Sequence, residues 1–306
     1  MYLLQLHTAG IPTDDTVKWT HLKPAEIAKL MLEKHGIPMS HGYIKRLLKK
    51  HGYCRRRLRK EIAIGTYGKR NEQFEIIFYL IRLFNGNTGP ILSFDTKKKE
   101  RLGNLYRDGY FYSNVDKKVY DHDFHYLSQG SVIPHGIFDV KLNKGYVSIG
   151  TSKETAAFIC DNILWWWENF GMHNYPGCKQ ILLLCDSGGA NSYRHHAFKK
   201  EAQRIAKQIG IRIIISHYPP YSSKWNPIEH RLFPHMHRAM QGVVFTDYEI
   251  VKELIRKTHT KTGLSVVVRI VRKDYQVGIK TDQSEIDQKR IFYHKDLPDL
   301  NYSILP

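Results

Sequence analysis

The sequence predicts an α/β fold, a mixed sheet with flanking helices on both faces, preceded by an α-helical region. Three observations carry that prediction. Apolar runs of strand length recur at 91–95, 180–186 and 211–216, the last of them β-branched. Helical stripes alternate with the later runs, at 154–170, 194–209 and 227–240, as connections between parallel strands require. Before residue 61 the regular pattern is a pair of short helices.

Composition narrows the setting. With 306 residues the chain can bury a substantial core and hold one large domain or two to three small ones. A hydrophobic fraction of 42% marks a globular protein rather than a disordered one. The 47 Lys and Arg outnumber 29 Asp and Glu, leaving a net charge of +18 that calls for a polyanionic partner, a nucleic acid or an anionic membrane. The membrane is the weaker choice, because no apolar run approaches the roughly 20 residues of a spanning helix. The opening MYLLQL is too short for a secretory signal and lacks its basic flank. Cys54, Cys160, Cys178 and Cys185 are scattered without C-x-x-C spacing, so reduced thiols inside a cell are expected.

Taken in order, residues 1–22 read as irregular, with Gly10-Ile11-Pro12 and Thr13-Asp14-Asp15 as breakers. Ile27, Leu30 and Met31 then recur at helical spacing until His35-Gly36, and Ser40 is an N-cap for a second stripe of Ile44, Leu47 and Leu48. Two helices joined by GIPMS read as a helix-turn-helix unit. Its second helix carries Lys45, Arg46, Lys49 and Lys50 on the polar side, followed by Arg55, Arg56, Arg57, Arg59 and Lys60 with no acid between. A charge run alone is usually a solvated face. Here helix pair, basic second helix and global charge agree on DNA. Residues 1–60 are therefore expected to form a DNA-binding region, and 61–88 a linker and coupling helix with Phe74, Ile77, Phe78 and Ile81 on one stripe.

From residue 89 the pattern turns to strands. The run at 91–95 ends in Asp95 and is followed by an insertion at about 97–130. Within it, Asp116, Asp121, His122, Asp123 and His125 invite a metal-site reading that their spacing does not support. Two strands at 131–140 and 145–151, joined by a Leu142-Asn143-Lys144-Gly145 turn, read as a hairpin. The helix at 154–170 follows, its Trp165, Trp166 and Trp167 assigned to core or interface. A strand ending in Asp186, a helix at 194–209, a strand at 211–216 and a helix opened by Pro227 complete the pattern. Three consecutive strands and then alternating helix and strand fit the ribonuclease H-like arrangement, and 89–245 is read as that domain. The remainder, 246–306, reads as an appended subdomain with a helix at 248–258 and short strands at 266–271 and 277–280.

Asp95 and Asp186 end strands, and Glu229 sits near a helix start. In an α/β sheet the carboxyl ends of parallel strands share one edge, where active sites collect. Three separated carboxylates on that edge suit phosphodiester transfer, in which two Mg²⁺ ions roughly 3.5–4 Å apart neutralise the phosphate and assist both the entering and leaving oxygens. Asp95 suits a carboxylate shared by both ions, with Asp186 and Glu229 on one each. Asn191, His230 and Arg231 are candidates for phosphate or metal-water contacts. The bland readings are a helix cap for a strand-end Asp and a tight turn for Gly188-Gly189.

At these residues a resemblance becomes specific. PPYSSKWNPIE resembles the PPYSP-x-x-NPIE signature of mariner-like and related bacterial DDE transposases. SFDTKKKERLGN, HDF, DSGGANSYR, HYPPYSSKWNPIEHRLF and KTGL near Lys261 resemble more closely still the Rhodopirellula-type insertion-sequence family, from about Trp19 to the C-terminus. That resemblance implies Asp95, Asp186 and Glu229 as the DDE triad, a helix-turn-helix that reads element ends, and Mg²⁺-dependent strand cleavage and transfer with Mn²⁺ as a substitute. It implies double-stranded DNA as partner, a homo-oligomer on that DNA, and a cytoplasmic, nucleoid-associated site of action. Two departures stand out. Such proteins carry further sequence before Trp19-Thr20, so a shortened N-terminus is expected, and Pro227 replaces a Lys. The rival expectations are an end-binding protein that does not cut, and a ribonuclease H-like nuclease that cuts branched DNA without joining.

Overall fold

The computed structural model describes residues 8–11, 14–56, 67–110, 112–121 and 124–306, in two units, 1–64 and 65–306. In the first unit, β1 (Thr8–Ile11) and β2 (Asp14–Thr20) pair antiparallel. Residues 1–22 were expected to be irregular; the β-branched and aromatic residues of Thr16-Val17-Lys18-Trp19 favour the ribbon once a partner strand is present. Helix α1 (Pro24–His35) begins with Pro at its first turn, and the Glu26 carboxylate accepts from the Lys23 amide at 2.7 Å. Gly36, at φ 67°, closes it in the left-handed region. Helix α2 (His41–Lys50) starts where the Ser40 hydroxyl accepts from the Tyr43 amide at 3.2 Å. Ile27 and Ile44 are the buried residues of the pair, and Lys45, Arg46, Lys49 and Lys50 lie on its polar side. Arg57, Arg59 and Lys60 lie outside the described residues.

In the second unit, α3 (Arg70–Asn85) lies against the sheet through Ile77 and Phe84. Strand β3 (Ile91–Thr96) is central. A short β4 (Glu100–Leu102) and the long β5 (Gly130–Asp139) follow, and β6 (Lys144–Gly150) completes an antiparallel hairpin with β5. Helix α4 (Ala156–Trp166) continues into a π-helical turn at Trp167–Gly171, and the tryptophan run spans the junction. Trp166 and Trp167 are buried in the core, while Trp165 is half-buried under the Arg269 guanidinium, 4.1 Å from the ring centre. Strand β7 (Gln180–Cys185), helix α5 (His196–Ile209) and strand β8 (Arg212–His217) add the parallel half. The order β6-β5-β3-β7-β8, antiparallel on one side of β3 and parallel on the other, is the ribonuclease H-like arrangement.

Two expectations fail beyond this core. The helix expected over 227–240 is two, α6 (Pro227–Arg231) and α7 (Phe233–Met240). Pro234 explains the break, because it offers no amide hydrogen and its ring crowds the carbonyl four residues back. The stretch 246–306 is not an appended subdomain. After α8 (Tyr248–Arg256), β9 (Ser265–Val271) pairs parallel to β6 at one edge. At the other edge β11 (Asn301–Ile304) pairs antiparallel to β8, and β10 (Ile291–Tyr293) to β11. No strand forms at 277–280, where Val277 and Ile279 are exposed around Gly278 at φ 79°.

Strand alternation fixes which side carries the acids. Leu92 and Phe94 of β3 enter the core under α4 and α5, and Ile91 enters the cluster under α3. Ser93 and Asp95 share the parity of Ile91, and the Ser93 hydroxyl accepts from the Ile228 amide of α6 at 2.9 Å. In β7, Ile181, Leu183 and Cys185 belong to the α4–α5 side and Leu182 and Leu184 to the α3 side, so Asp186 continues the latter parity.

Gly136 is the cross-strand partner of Asp95, and it has no side chain for a reason. A Cβ there would lie 2.8 Å from Ile228 Cδ1 and 2.9 Å from Phe233 Cε1, both in packed positions. Gly136→Val is expected to cost about 1–3 kcal/mol by overpacking and to displace α6 from β3. Thermal unfolding checks the cost; a melting temperature equal to that of the wild type would show that α6 is not held closely against this strand pair.

Candidate active site

The sheet and the start of α6 bring together the three acids that the sequence singles out. Asp95 is the penultimate residue of β3, Asp186 follows the last residue of β7, and Glu229 is the third residue of α6. All three are half-buried. Burial, then the charge of Asp186, then Glu229 through its charge and a hydrogen bond, push Asp95 up from 3.8 to about 8; the Thr96 amide, donating at 2.7 Å, pulls the other way. Burial, with Glu229 adding to it, pushes Asp186 up from 3.8 to about 6 against the opposing hydrogen bond from Asn226. These shifts arise because carboxylates out of bulk water and within range of one another resist ionising together.

A buried polar clamp holds the arrangement. Asn226 and Ser93 are both fully buried. The Ser93 hydroxyl donates to Asn226 Oδ1, while Asn226 Nδ2 donates at 3.3 Å to the Phe94 carbonyl and at 3.3 Å to Asp186 Oδ1. Behind Asp186 stands His217, whose Nδ1 lies 2.9 Å from the Asp186 carbonyl and whose Nε2 lies 3.1 Å from the Tyr302 hydroxyl. A carbonyl only accepts, so Nδ1 carries the proton. Burial pushes His217 down to about 4, which keeps the ring neutral in that role. Sequence reasoning missed Ser93 and His217, and passed over Asn226 although it stands inside the NPIE motif. A polar residue inside an apolar strand run was the available signal for Ser93.

The auxiliary candidates fall differently. Asn191 is buried, and its amide donates to the Asp186 carbonyl at 3.2 Å, bracing the turn after β7. Arg231 is exposed, bonded to Asn143 Oδ1 at 3.3 Å and stacked 4.8 Å from the Phe138 ring centre. His230 is exposed. The basic residues Lys45, Arg46, Lys49 and Lys50 share α2, Arg55 and Arg56 are exposed just beyond it, and Arg57 lies outside the described residues. In the insertion, Asp116 is exposed, and His122 and Asp123 lie outside the described residues.

The chemistry of the donor set is that of hard carboxylate oxygens, which suits Mg²⁺ or Mn²⁺ rather than a thiolate-seeking ion. Among the described residues, no group of three His, Cys, Asp or Glu side chains stands close enough together to hold a metal ion as placed. Asp186 and Glu229 raise the proton affinity of Asp95, and Glu229 that of Asp186, a crowding of carboxylates that a divalent cation would relieve.

The family model described as Rhodopirellula transposase DDE domain matches residues 1–306. No curated protein matches the sequence significantly. Among solved structures, the chain is similar to the Mos1 transposase paired-end complex with the left transposon end, at 14% identity and TM-score 0.47, over 80% of this chain and 71% of that one. It is likewise similar to the Mos1 strand transfer complex, at 14% identity and TM-score 0.46, over 80% and 70%. For the mariner Mos1 paired-end complex with Mg the identity is 14% and the TM-score 0.45, over 80% and 74%.

The raised acids make a prediction about pH. The folded protein holds the Asp95 proton up to about 8, whereas the unfolded chain releases it near 3.8, so folding binds a proton across that window. Stability of the metal-free protein is therefore highest below the window and is lost as pH rises through it, with Asp186 adding its part between 3.8 and about 6. Asp95→Asn, neutral throughout, flattens the decline above pH 6. Melting temperatures in chelator from pH 5 to 8 check this, at about 2–4 °C for each kcal/mol. A wild-type decline no steeper than that of the variant would overturn the electrostatic account.

Proposed function

The chain belongs to the Rhodopirellula-type DDE transposases, and from that premise we propose that residues 1–60 bind the ends of an insertion sequence while Asp95, Asp186 and Glu229 serve cleavage and joining of DNA strands. The observation that carries the site assignment is the convergence of three acids from separate segments on one side of the sheet, close enough that Asp186 and Glu229 push Asp95 up and Glu229 pushes Asp186 up. Asp95, influenced by both other acids, would hold Mg²⁺ or Mn²⁺ together with Asp186 and Glu229. Bound there, the ions supply charge neutralisation on the phosphate and assistance to the entering and leaving oxygens.

The chain's own residues divide the remaining work. Hydrolysis at the element end breaks a phosphodiester P–O bond and leaves a 3′ hydroxyl; that hydroxyl forms a new P–O bond in the target as the target's own P–O bond breaks. No covalent protein intermediate is needed, and the nearby nucleophiles are otherwise engaged: Ser187 donates its hydroxyl to the Tyr218 carbonyl, and burial pushes the Cys185 thiol up. Lys45, Arg46, Lys49 and Lys50 offer a cationic face to DNA phosphates. Two element ends must meet for transposition, which calls for a homo-oligomer on DNA acting at the nucleoid.

Cleavage and strand-transfer assays on DNA carrying the flanking inverted repeats test the reading. Asp95→Asn, Asp186→Asn and Glu229→Gln are each expected to lower metal-dependent nicking by on the order of 10³-fold with end binding retained. Wild-type nicking by Glu229→Gln would remove the third acid from the site.

The basic helix has its own signature. For every phosphate that Ala substitution at Lys45, Arg46, Lys49 or Lys50 leaves unneutralised, the slope of log K against log salt is expected to fall by about 0.9. An unchanged slope in the fourfold variant, measured by fluorescence anisotropy, would take α2 out of the interface.

A further inference from the structure

Asn226 occupies the N-cap position of α6, where an Asn side chain ordinarily accepts from an amide of the first helical turn. Here it does not cap its own helix. The Ile228 amide is taken instead by the Ser93 hydroxyl from the neighbouring strand, at 2.9 Å. The cap is supplied across the fold, and the Asn226 amide is released for another use.

That use is specific to an amide. Oδ1 accepts from the Ser93 hydroxyl, and the two Nδ2 hydrogens go to the Phe94 carbonyl and to Asp186 Oδ1. The main chain of Asn226 is engaged as well: its carbonyl accepts from the Glu229 amide at 3.0 Å, and its amide donates to the Ser223 carbonyl at 2.8 Å. One buried residue thus touches Asp186 directly, the strand leading to Asp95 at two points, and the backbone of Glu229. A carboxylate at this position would face the Phe94 carbonyl and Asp186 with no hydrogen to give. An alanine would leave the Phe94 carbonyl and Asp186 without their donor and Ser93 without its acceptor.

We propose that Asn226 is a positioning residue for the three acids, fixing the Asp186 carboxylate and the start of the Glu229 helix against the Asp95 strand so that they grip divalent cations as a set. The proposal rests on the site reading given above. Fully buried, Asn226 acts through its neighbours. Its loss is therefore expected in cation affinity first and in the chemical step only secondarily.

The test uses Mn²⁺ alone as probe, on the full chain without DNA, by titration calorimetry, beside the Mn²⁺ dependence of nicking. Asn226→Ala is expected to raise the half-saturating Mn²⁺ concentration by about tenfold or more in both measurements, with nicking at saturating Mn²⁺ within a few-fold of wild type. Ser93→Ala is expected to shift it in the same direction, and Ser93→Thr, which keeps the hydroxyl, to shift it less. Melting temperatures identify any variant that fails to fold, and Ser93→Ala keeps the question open to measurement if Asn226→Ala does. An unchanged half-saturation in a folded Asn226→Ala, with only the melting temperature or the maximal rate lowered, would reduce the clamp to a structural contact and overturn the proposal. Asp186→Asn separates the two layers. If it abolishes Mn²⁺ binding while Asn226→Ala leaves it intact, only the role of Asn226 fails. If Asp186→Asn also binds Mn²⁺ normally, the site reading fails and the proposal with it.

Discussion

Mutual repulsion among three half-buried carboxylates is the constraint on which the rest of this structure turns. Burial first, and then the charges of Asp186 and Glu229, push Asp95 up to about 8, so holding the three together works against the ionised form of Asp95. The fold keeps them together by placing each on an element whose position is decided elsewhere. Asp95 is held by its antiparallel pairing with Gly136 of β5, and its strand by the parallel pairing of residues 91–93 with β7. The main chain at Asp186 is held by His217 and Asn191, and its carboxylate by Asn226. Glu229 rides on a helix of five residues, far too short to be stable alone, that is fastened to β3 through Ser93.

The polar groups behind the site form a second tier that reaches the ends of the chain's second unit. His217 joins the Asp186 carbonyl to the Tyr302 hydroxyl of β11. Beside it, Gln73 of α3 donates to the His217 carbonyl at 2.8 Å and to Asn301 Oδ1 at 2.9 Å, and Asn301 returns a bond to Gln73 Oε1 at 2.6 Å. These groups are buried, so each unmet partner would cost about 1–3 kcal/mol, and the cluster is satisfied within itself. Residues 73, 217 and 301–302 are thereby tied into one support for the second acid. The C-terminal tail is part of the central sheet's bracing, which is why it cannot be read as an appendage.

How much of this the sequence disclosed follows from the kind of signal each part emits. Strands buried on both faces read as continuous apolar runs, so β3, β7 and β8 and the acids at the ends of the first two were plain. Pro227 marked the start of α6 for the same local reason. Strands β10 and β11 were not legible, because segments of three and four residues acquire their state by docking on an edge rather than by their own pattern. The clamp was illegible for a different reason. Asn at an N-cap is so common that its sequence context predicts a local cap, and only the fold shows the Ser93 hydroxyl in that role and the amide turned toward Asp186.

The three acids are not equally constrained. Asp95 cannot shift without breaking pairing in the middle of the sheet. Asp186 lies one residue beyond a paired strand, its carbonyl held by a neutral His217, so its main chain has little room and its carboxylate somewhat more. Glu229 has neither support: its helix packs by Ile228 into the core, and its registry depends on one hydroxyl and one amide. A cation that satisfies Asp95 and Asp186 meets groups already in place. One that also engages Glu229 must draw on whatever freedom remains in α6, and the smaller that freedom, the less binding energy is spent ordering the helix. The close packing of α6 over Gly136 and the buried Ser93–Asn226 pair act on the same quantity, limiting the motion of the third acid before any cation or phosphate arrives.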